Sequence, residues 1–256
     1  MSSPSRVFAI LDLFTLEHPA WYTDEIIRTL GYTRPTGYRY VKELVEAGFL
    51  QKVAAGRYAL GARIVMLDRQ LRQTDPVLLA AAPLMHELAA RTGFDAVLSS
   101  MFSRQLVDPY HASADTELKL EYGRGRSRPL FQGGAPKVIL AHLPRAQLVK
   151  LYEANASEVA AHGMGATWSA FRKGLAAIRK RGFYLSLGEL EAGLGGAAVP
   201  LLDGDGDVMA ALTLVGRCER LREAGEETLH GWLRPVAARI ADRLAAGAPG
   251  KPSDAR

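Results

Sequence analysis

Two short helices separated by a tight turn, within residues 23–47, constrain the fold of this chain more than any other feature. The first helix can be capped by Thr23 and is stopped by Gly31. A turn of about three residues follows, and the second helix begins near Arg34-Pro35-Thr36, where proline suits a first turn. This arrangement predicts a helix-turn-helix, whose second helix is the one that enters the major groove of DNA.

The second helix has an inner and an outer face. When successive side chains are set about 100° apart, Thr36 and Arg39 lie opposite the apolar stripe, and Tyr40 and Lys42 lie on its flanks. The apolar stripe consists of Val41, Leu44 and Val45. A helix that exposes threonine, arginine, tyrosine and lysine in this way is typical of a recognition helix.

The residues that follow, Leu50–Gly61, have the pattern of a β-hairpin. Two β-like halves flank Ala55-Gly56, a turn sequence, and Arg57 comes directly after it. We expect this hairpin to form a wing with Arg57 at its tip. The predicted DNA contacts are Arg34, Pro35, Thr36, Tyr38, Arg39, Tyr40, Lys42 and Arg57.

The distribution of charge supports this prediction. The formal net charge is +5, and residues 31–63 hold six basic against two acidic side chains, an excess of +4. Cations concentrated on a helix and a wing can neutralise phosphates and release counterions. The alternative is a small helical core with a solvated basic face, since helix-turn-helix shapes also occur without DNA.

The flanking segments complete the predicted domain organisation. Apolar residues from Val7 to Phe14 recur with helical spacing, which predicts a helix over about residues 5–16. Residues 62–74 are predicted to form a linker helix between the domains. We expect a DNA-binding domain at 1–61, an effector-binding and oligomerisation domain at 75–246, and a frayed tail at 247–256.

The second half of the chain is predicted to be an α+β domain with a largely antiparallel sheet, because strand-like runs alternate with helical ones. The predicted strands are Ala96–Met101, Leu106–His111, Leu118–Tyr122, Ala197–Leu202 and Val208–Val215. The predicted helices are a long one opening at Asp75-Pro76, then Ala135–Ala141, Arg145–Tyr152, Trp168–Arg181 and Glu226–Ala246.

Several other classes of function find no support in the sequence. Asp203, Asp205 and Asp207 have calcium-loop spacing, but the glycine and glutamate that such a loop needs are absent, so we expect a hairpin turn. Cys218, the single cysteine, reads as a half-buried apolar residue. The basic loop Gly123–Arg128 lacks the Lys-Ser/Thr of a phosphate loop. We expect no enzyme activity, metal or cofactor, and a cytoplasmic protein without a signal peptide or membrane span.

The sequence resembles the IclR family of bacterial regulators. The stretches that carry the resemblance are Gly31–Arg39 with Leu44 and Ala47–Leu50, then Tyr58–Arg63, and a dispersed set comprising Pro129-Leu130, Lys137–Ala141, Gly182-Phe183, Glu189, Gly193, Ala198–Pro200, Asp203 and Gly206. The chain departs from the family pattern at Pro136, where a glycine is usual, and at Gly196, which is often cysteine. The paired acids of the family are reduced to Glu189, which is preceded by Ser186-Leu187-Gly188.

The resemblance implies a GAF-like (PAS-like) sensor that binds a small carboxylate. Carried over residue by residue, the effector site consists of Gly134, Ala135, Ser186, Gly196, Thr213 and Val215. Because Gly196 and Val215 are apolar where glyoxylate-type members are polar, we expect a larger effector, such as an aromatic or longer-chain carboxylate. Phe131, Met101 and Phe102 are candidates for additional wall, although each also suits a plain core position.

The resulting hypothesis is a transcriptional regulator that binds a double-stranded operator as a homodimer or tetramer, with affinity set by a small organic acid. A rival from another class is a metabolite-binding protein or small-molecule enzyme that carries a winged-helix oligomerisation domain. A third possibility is a sensor whose pocket is vestigial.

Overall fold

The computed structural model describes residues 3–102, 105–114 and 127–247. The predicted strand Leu118–Tyr122, the loop residues 123–126 and the tail beyond Gly247 lie outside these ranges. The chain divides into two compact units, Met1–Asp75 and Pro76–Arg256. The second unit thus begins at Pro76, next to residue 75, where the second domain was expected to start.

The first unit contains helices and a three-stranded antiparallel sheet. Its helices are α1 Ser3–Phe8, α2 Thr23–Leu30, α3 Arg34–Glu46 and α4 Ala62–Thr74, with a 3-10 turn at Leu11–Leu13. Its strands are β1 Ala20–Tyr22, β2 Leu50–Ala54 and β3 Arg57–Leu60, in the order β1-β3-β2. The helix-turn-helix, the wing and the linker helix therefore occupy their predicted positions.

The first helix is shorter than its apolar spacing predicted. Backbone hydrogen bonding tightens at Ile10, whose N–H bonds to the carbonyl of Val7 rather than to that of residue 6. A 3-10 turn follows, in which Phe14 bonds back to Leu11. Ile10 is nevertheless fully buried. The apolar spacing therefore indicates which side chains are buried, but it does not show that the helix is continuous.

The start of α2 also differs from the prediction. Thr23 is the first helical residue, and Tyr22 occupies the cap position. The carboxylate of Glu25 accepts a hydrogen bond from the Tyr22 backbone N–H at 3.0 Å. Tyr22 ends β1, which the sequence did not predict because this strand is only three residues long.

The described part of the second unit contains a six-stranded antiparallel sheet covered by helices, which confirms the predicted α+β architecture with an antiparallel sheet. Its strands are β4 Asp95–Phe102, β5 Gln105–Ala112, β6 Ser127–Arg128, β7 Tyr184–Leu187, β8 Leu194–Leu202 and β9 Val208–Arg217, in the order β6-β5-β4-β9-β8-β7. Its helices are α5 Pro76–Thr92, α6 Gly134–His142, α7 Arg145–Ala161, α8 Trp168–Arg181, α9 Cys218–Ala224 and α10 Glu226–Gly247. Strands β6 and β7 and helix α9 were not predicted from the sequence. Helix α7 ends at Ala161 instead of at Tyr152, where the prediction ended it.

The two faces of this sheet pack against different helices. On one face, Leu212 and Leu214 of β9 join a core with α5 and α10. On the other face, Ala198 and Ala211 pack against Ala135 and its neighbours in α6. Since side chains alternate along a strand, Thr213 and Val215 lie on the α6 face together with Gly196.

Two local predictions can be compared with the structure directly. Residues 203–207 form the turn between β8 and β9, in which Asp203 Oδ1 accepts hydrogen bonds from the backbone N–H groups of Asp205 and Asp207. These contacts are those of a hairpin turn, as expected. Cys218 was expected to be half-buried, and in the structure it is buried.

Among the described helices, none has the length and apolar character needed to cross a bilayer.

Candidate functional site

The outer face of α3 carries most of the predicted DNA contacts. Five of the predicted residues are exposed there, and Thr36 is half-buried. The exposed residues are Arg34, Pro35, Tyr38, Arg39 and Lys42. The helix begins at Arg34 with proline at its second position and follows Thr33, whose backbone is extended. The sequence thus places two cations and two aromatic or apolar side chains on the first turns of one accessible helix face.

The cations of α3 have only weak partners within the unit. Arg34 lies 3.5 Å from Asp24, Arg39 lies 3.9 Å from Glu43, and Lys42 lies 3.6 Å from Glu46. Exposed pairs of this kind contribute about 0–1 kcal/mol. Each cation can therefore exchange its carboxylate for a phosphate or a base edge at little cost.

Tyr40 was predicted to contact DNA, and the structure contradicts that prediction. Its side chain belongs to the core of the first unit together with Val41 and Leu44. Its ring meets Tyr32 edge-on, with centroids 5.8 Å apart, and the Arg39 guanidinium lies over the outer side of the ring at 5.3 Å. The buried stripe of α3 is therefore wider than the sequence pattern indicated, and Tyr40 positions Arg39 rather than reaching DNA itself.

Gly37 allows α2 and α3 to approach closely. A Cβ atom at this position would lie 2.2 Å from Cγ1 of Ile27. Only glycine fits here unless the Ile27 side chain or one of the helices moves. The close crossing of α2 and α3 therefore depends on the absence of a side chain at Gly37. The position of Arg39 on the exposed face of α3 depends on that crossing.

The wing places Arg57 beside a second aromatic side chain. Arg57 is exposed at the start of β3, directly after the turn at Ala55-Gly56, and its guanidinium lies 5.7 Å from the ring centroid of Tyr22. Tyr22 is itself exposed at the end of β1. The sequence did not identify Tyr22, because the strand that positions it was not recognised.

In the second unit, the six predicted effector residues line one cavity. The cavity holds about 490 Å³ of empty space, part of it open to solvent. It is lined by Gly134, Ala135, Ser186, Gly196, Thr213 and Val215, together with Val97, Arg128, Gly133, Leu190, Glu191, Leu194 and Gly195.

The floor of this cavity is the sheet. Ser186, Gly196 and Val215 are aligned across β7, β8 and β9, and Thr213 pairs with Val97 of β4. A Cβ atom on Gly196 would lie 3.0 Å from Cγ2 of Thr213. Glycine at this position therefore keeps the floor open where a side chain would project.

The first turn of α6 forms the opposite wall. A Cβ atom on Gly134 would lie 3.0 Å from the carbonyl oxygen of Gly196 and 3.1 Å from Cβ of Ala198. This helix start is thus in direct contact with β8. The first N–H groups of a helix have no acceptor within the helix and favour anions.

The hydroxyl of Thr213 faces the cavity at a buried position. Thr213 is 3% exposed, and its Oγ1 has no hydrogen-bond partner among the described residues. A buried hydroxyl without a partner costs about 1–3 kcal/mol. A ligand oxygen bound in the cavity would supply the missing partner.

An ionic cluster of Lys137, Glu189 and Tyr184 lies next to the start of α6. The ammonium group of Lys137 donates to Glu189 at 2.5 Å and to the Tyr184 hydroxyl at 2.9 Å, and Glu189 also accepts from the Gly133 N–H at 3.1 Å. Burial alone would raise the pKa of Glu189, but these donors together hold it below its ordinary value. Burial likewise opposes the charge on Lys137, yet Glu189 and Tyr184 raise its pKa. Both groups are therefore charged near neutral pH.

Arg128 enters the cavity from the opposite edge of the sheet. Its Nη1 lies 3.1 Å from Oδ2 of Asp108, a buried carboxylate that also accepts from Ser99 Oγ at 2.6 Å. Burial raises the pKa of Asp108 above its ordinary value, although Arg128 and Ser99 oppose that rise. The sequence analysis placed Arg128 in a basic loop without assigning it to a site, because its carboxylate partner lies 20 residues earlier.

The three additional wall residues do not line this cavity. Phe131 is fully buried in the core between α6, α7 and α8. Phe102 is 56% exposed, and Met101 borders a separate hollow beside α7. These three apolar side chains occupy core and edge positions. The apolar walls of the cavity are formed instead by Val97, Leu190 and Leu194.

A winged helix-turn-helix followed in the chain by a sheet unit with a cavity at a helix start has the features of a ligand-responsive DNA-binding regulator. The family model described as bacterial transcriptional regulator IclR C-terminal matches residues 70–242, and the IclR helix-turn-helix domain matches residues 3–54. The chain belongs to the IclR family of bacterial transcriptional regulators. It has the DNA-binding and effector-binding domains of that family.

Individual relatives and solved structures agree with this assignment. The HTH-type transcriptional regulator XynR of Escherichia coli (strain K12) is 28% identical over 88% of this chain and 89% of its own. An IclR transcriptional regulator from Silicibacter sp. TM1040 shares the fold, with a TM-score of 0.80, 24% identity and 98% coverage of each chain. An IclR homologue from Microbacterium hydrocarbonoxydans, solved in complex with 4-hydroxybenzoate, has a TM-score of 0.74 and 24% identity over 96% of this chain and 100% of its own.

Proposed function

We propose that this regulator binds its operator through the exposed face of α3 and through the wing. Arg39 and Thr36, with Tyr38 beside them, enter the major groove, while Arg34, Lys42 and Arg57 contact phosphates or the groove edge. The support is the combination of an accessible helix face and cations that hold only weak internal partners.

The same proposal includes a homodimer, or a tetramer built from dimers, on a pseudo-palindromic site. The linker helix α4 has no buried residue, and its exposed side chains include Val65, Met66 and Leu71. Apolar side chains on a helix without a buried face favour coverage by a second copy. Two copies would present two recognition helices to half-sites separated by one or more helical turns.

The effector in this proposal is an aromatic or longer-chain carboxylate. Its carboxylate binds at the first turn of α6, where the N–H groups of Gly134 and Ala135 favour an anion. Thr213 Oγ1, buried and unsatisfied on the cavity floor, is the observation that carries this assignment. The apolar walls favour a hydrophobic body, and the Microbacterium homologue binds 4-hydroxybenzoate, an aromatic acid.

Effector binding changes operator affinity only through different affinities for two arrangements of the protein. In this proposal the effector contacts α6 and the sheet in one arrangement more favourably than in the other. The matched families and relatives are transcriptional regulators, which counts against the rival of an enzyme with a winged-helix oligomerisation domain.

Thermal shift measurements over a panel of acids test the effector class. Benzoates and longer aliphatic acids should raise the melting temperature of the second unit, and Gly196→Leu, which fills the cavity floor, should abolish that rise. A cooperative thermal transition of the second unit in ligand-free Gly196→Leu would show that the variant is folded. A rise with glyoxylate or pyruvate and none with aromatic acids would reject the proposed class.

A further inference from the structure

Tyr22 occupies a position for which the fold of the first unit gives no structural reason. It is the residue that caps α2, yet its side chain makes no capping hydrogen bond, and tyrosine is not among the residues that favour this position. The core does not need the ring either, since the residue is 46% exposed. A large side chain with an apolar ring and a polar tip, serving neither the helix end nor the core, points to a role at the surface.

Tyr22 and Arg57 form one surface element at the tip of the wing. They face each other across the antiparallel pair of β1 and β3, so their side chains lie on the same face of the sheet. The guanidinium of Arg57 lies 5.7 Å from the centroid of the Tyr22 ring. The pairing therefore places an aromatic side chain with a hydroxyl donor beside a cation.

A backbone hydrogen bond holds the wing tip to the start of α2. The N–H of Thr23 donates to the carbonyl oxygen of Gly56 at 3.2 Å, and Gly56 belongs to the turn of the wing. In a helix-turn-helix the first helix crosses the DNA backbone while the second enters the major groove. Tyr22 therefore lies where the wing tip meets the start of the helix that is expected to cross the backbone.

The start of α2 is not an anion site by itself. Asp24 and Glu25 place two carboxylates in its first turn, and these would repel a phosphate bound at the helix N–H groups. A phosphate beside this turn needs a donor other than those N–H groups, and a cation that offsets the two acids. The Tyr22 hydroxyl can supply the hydrogen bond, and Arg57 supplies the positive charge.

We propose that Tyr22 is a further DNA-contacting residue, whose hydroxyl donates a hydrogen bond to a phosphate oxygen beside the phosphate held by Arg57. Its ring also fixes the direction of the Arg57 guanidinium. The inference deepens the proposed function and rests on its operator-binding part. Tyrosine is among the side chains that contact phosphates in protein–DNA interfaces, and such contacts set position rather than sequence. The contact is therefore common to all duplexes and neutralises no charge.

Fluorescence anisotropy with the full chain tests this assignment, using operator and random duplexes at several salt concentrations. Tyr22→Phe removes the hydroxyl and keeps the ring. It should weaken binding to both duplexes by roughly threefold to tenfold, the value of one hydrogen bond to a charged group. The slope of log K against log salt should stay at the wild-type value, because the lost group carries no charge.

Tyr58→Phe is the matched control. Tyr58 follows Arg57 in β3, so its side chain lies on the opposite face of the sheet, where it packs against the core of the first unit. The same hydroxyl is removed from the same strand pair, away from the proposed contact. This variant should bind both duplexes as the wild type does.

Tyr22→Ser separates DNA contact from stability. Serine is a favoured cap residue, so the denaturation midpoint of the first unit should be at least as high as in the wild type. DNA binding should nevertheless weaken more than in Tyr22→Phe, because the ring beside Arg57 is lost as well. In an Arg57→Ala background the two substitutions should cost the same factor, since no guanidinium is left to position.

The remaining outcomes would overturn the assignment. Wild-type affinity of Tyr22→Phe for both duplexes would do so, and so would a loss confined to the operator, which indicates a base contact. A salt slope lowered by about one in Tyr22→Phe would show that the residue acts only through Arg57. A loss of stability in Tyr22→Ser that parallels its loss of binding would assign Tyr22 to the fold.

The same titrations separate this inference from the proposed function. If the wild type binds the operator with steep salt dependence and Tyr22→Phe behaves identically, the inference fails and the proposed function stands. If the wild type binds no duplex at all, both fail.

Discussion

Tyr38 and Tyr40 lie two residues apart on α3 and point in opposite directions, with exposed fractions of 50% and 4%. Tyr38 donates a hydrogen bond to Asp24 at 3.3 Å on the surface, whereas Tyr40 packs in the core and supports the guanidinium of Arg39. The same residue type is thus exposed on the proposed DNA-binding face at one position and buried in the core at the other.

Alanine substitutions at these two tyrosines should separate the roles. Tyr40→Ala removes a buried ring and should destabilise the first unit by about 3–5 kcal/mol, as for other buried aromatic residues. Tyr38→Ala should change stability by less than about 0.5 kcal/mol and weaken operator binding instead. Chemical denaturation and fluorescence anisotropy measure the two effects. Similar stability losses in both variants would contradict the assignment.

Arg39→Ala tests whether α3 reads bases. If Arg39 contacts a base edge, the substitution should cost about 1–3 kcal/mol on the operator and relax specificity at one position. Binding to random duplex should change much less. Arg172→Ala, on the second unit, is the control and should leave both affinities unchanged. An equal loss on operator and random DNA would assign Arg39 to phosphate contact.

Arg57→Ala should behave differently, because the wing tip is expected to hold a phosphate. The variant should weaken binding to all duplexes by a similar factor and reduce the slope of log K against log salt by about one. Anisotropy titrations at four or five salt concentrations give that slope. A slope equal to that of the wild type would show that Arg57 neutralises no phosphate.

Thr213→Val should move stability and effector binding in opposite directions. The substitution removes a buried hydroxyl without a partner, and it should stabilise the ligand-free second unit by about 1 kcal/mol. The same change removes a ligand contact, so effector affinity should fall. Thermal denaturation without ligand and calorimetry with ligand measure the two effects. A variant that is both less stable and unaffected in binding would contradict the placement of this hydroxyl.

Acid should weaken the cluster beneath α6. Because the pKa of Glu189 is lower in the folded protein than its ordinary value of 4.5, the unfolded chain takes up the proton first. Its contribution to stability is therefore present above pH 4.5 and is lost as the pH falls through the lower folded value. Glu189→Gln should be less stable than the wild type at pH 7, and the gap in melting temperature should narrow on acidification. Parallel curves from pH 7 to pH 3 would exclude this role.

The elements that the sequence predicted well are those specified by neighbouring residues. The helix-turn-helix, the wing and α8 follow from local spacing, caps and turns, and the Asp203 turn follows from its own side chain. The features that were missed depend on distant partners. Arg128 becomes part of a site only through Asp108, and β1 is a strand only because Trp21 pairs with Tyr58 of the wing.

Tyr40 shows a second limit of the sequence pattern. The aliphatic residues Val41, Leu44 and Val45 define the apolar stripe of α3. This pattern places Tyr40, which lies beside the stripe, on the surface of the helix. Its burial depends on Tyr32 and on the core of the first unit, which the helix alone does not specify. In the cavity, by contrast, the six positions came from the family resemblance, and their convergence on one floor and one helix start could not be deduced from spacing.

The most direct test of the account is the salt dependence of binding to a duplex from the region upstream of this protein's own gene, measured by anisotropy with wild-type protein. Phosphate neutralisation by α3 and the wing predicts a steep linear fall of log K with log salt, and tighter binding than to random duplex at every salt concentration. Failure to bind any duplex even in dilute buffer, with a folded protein, would contradict the account.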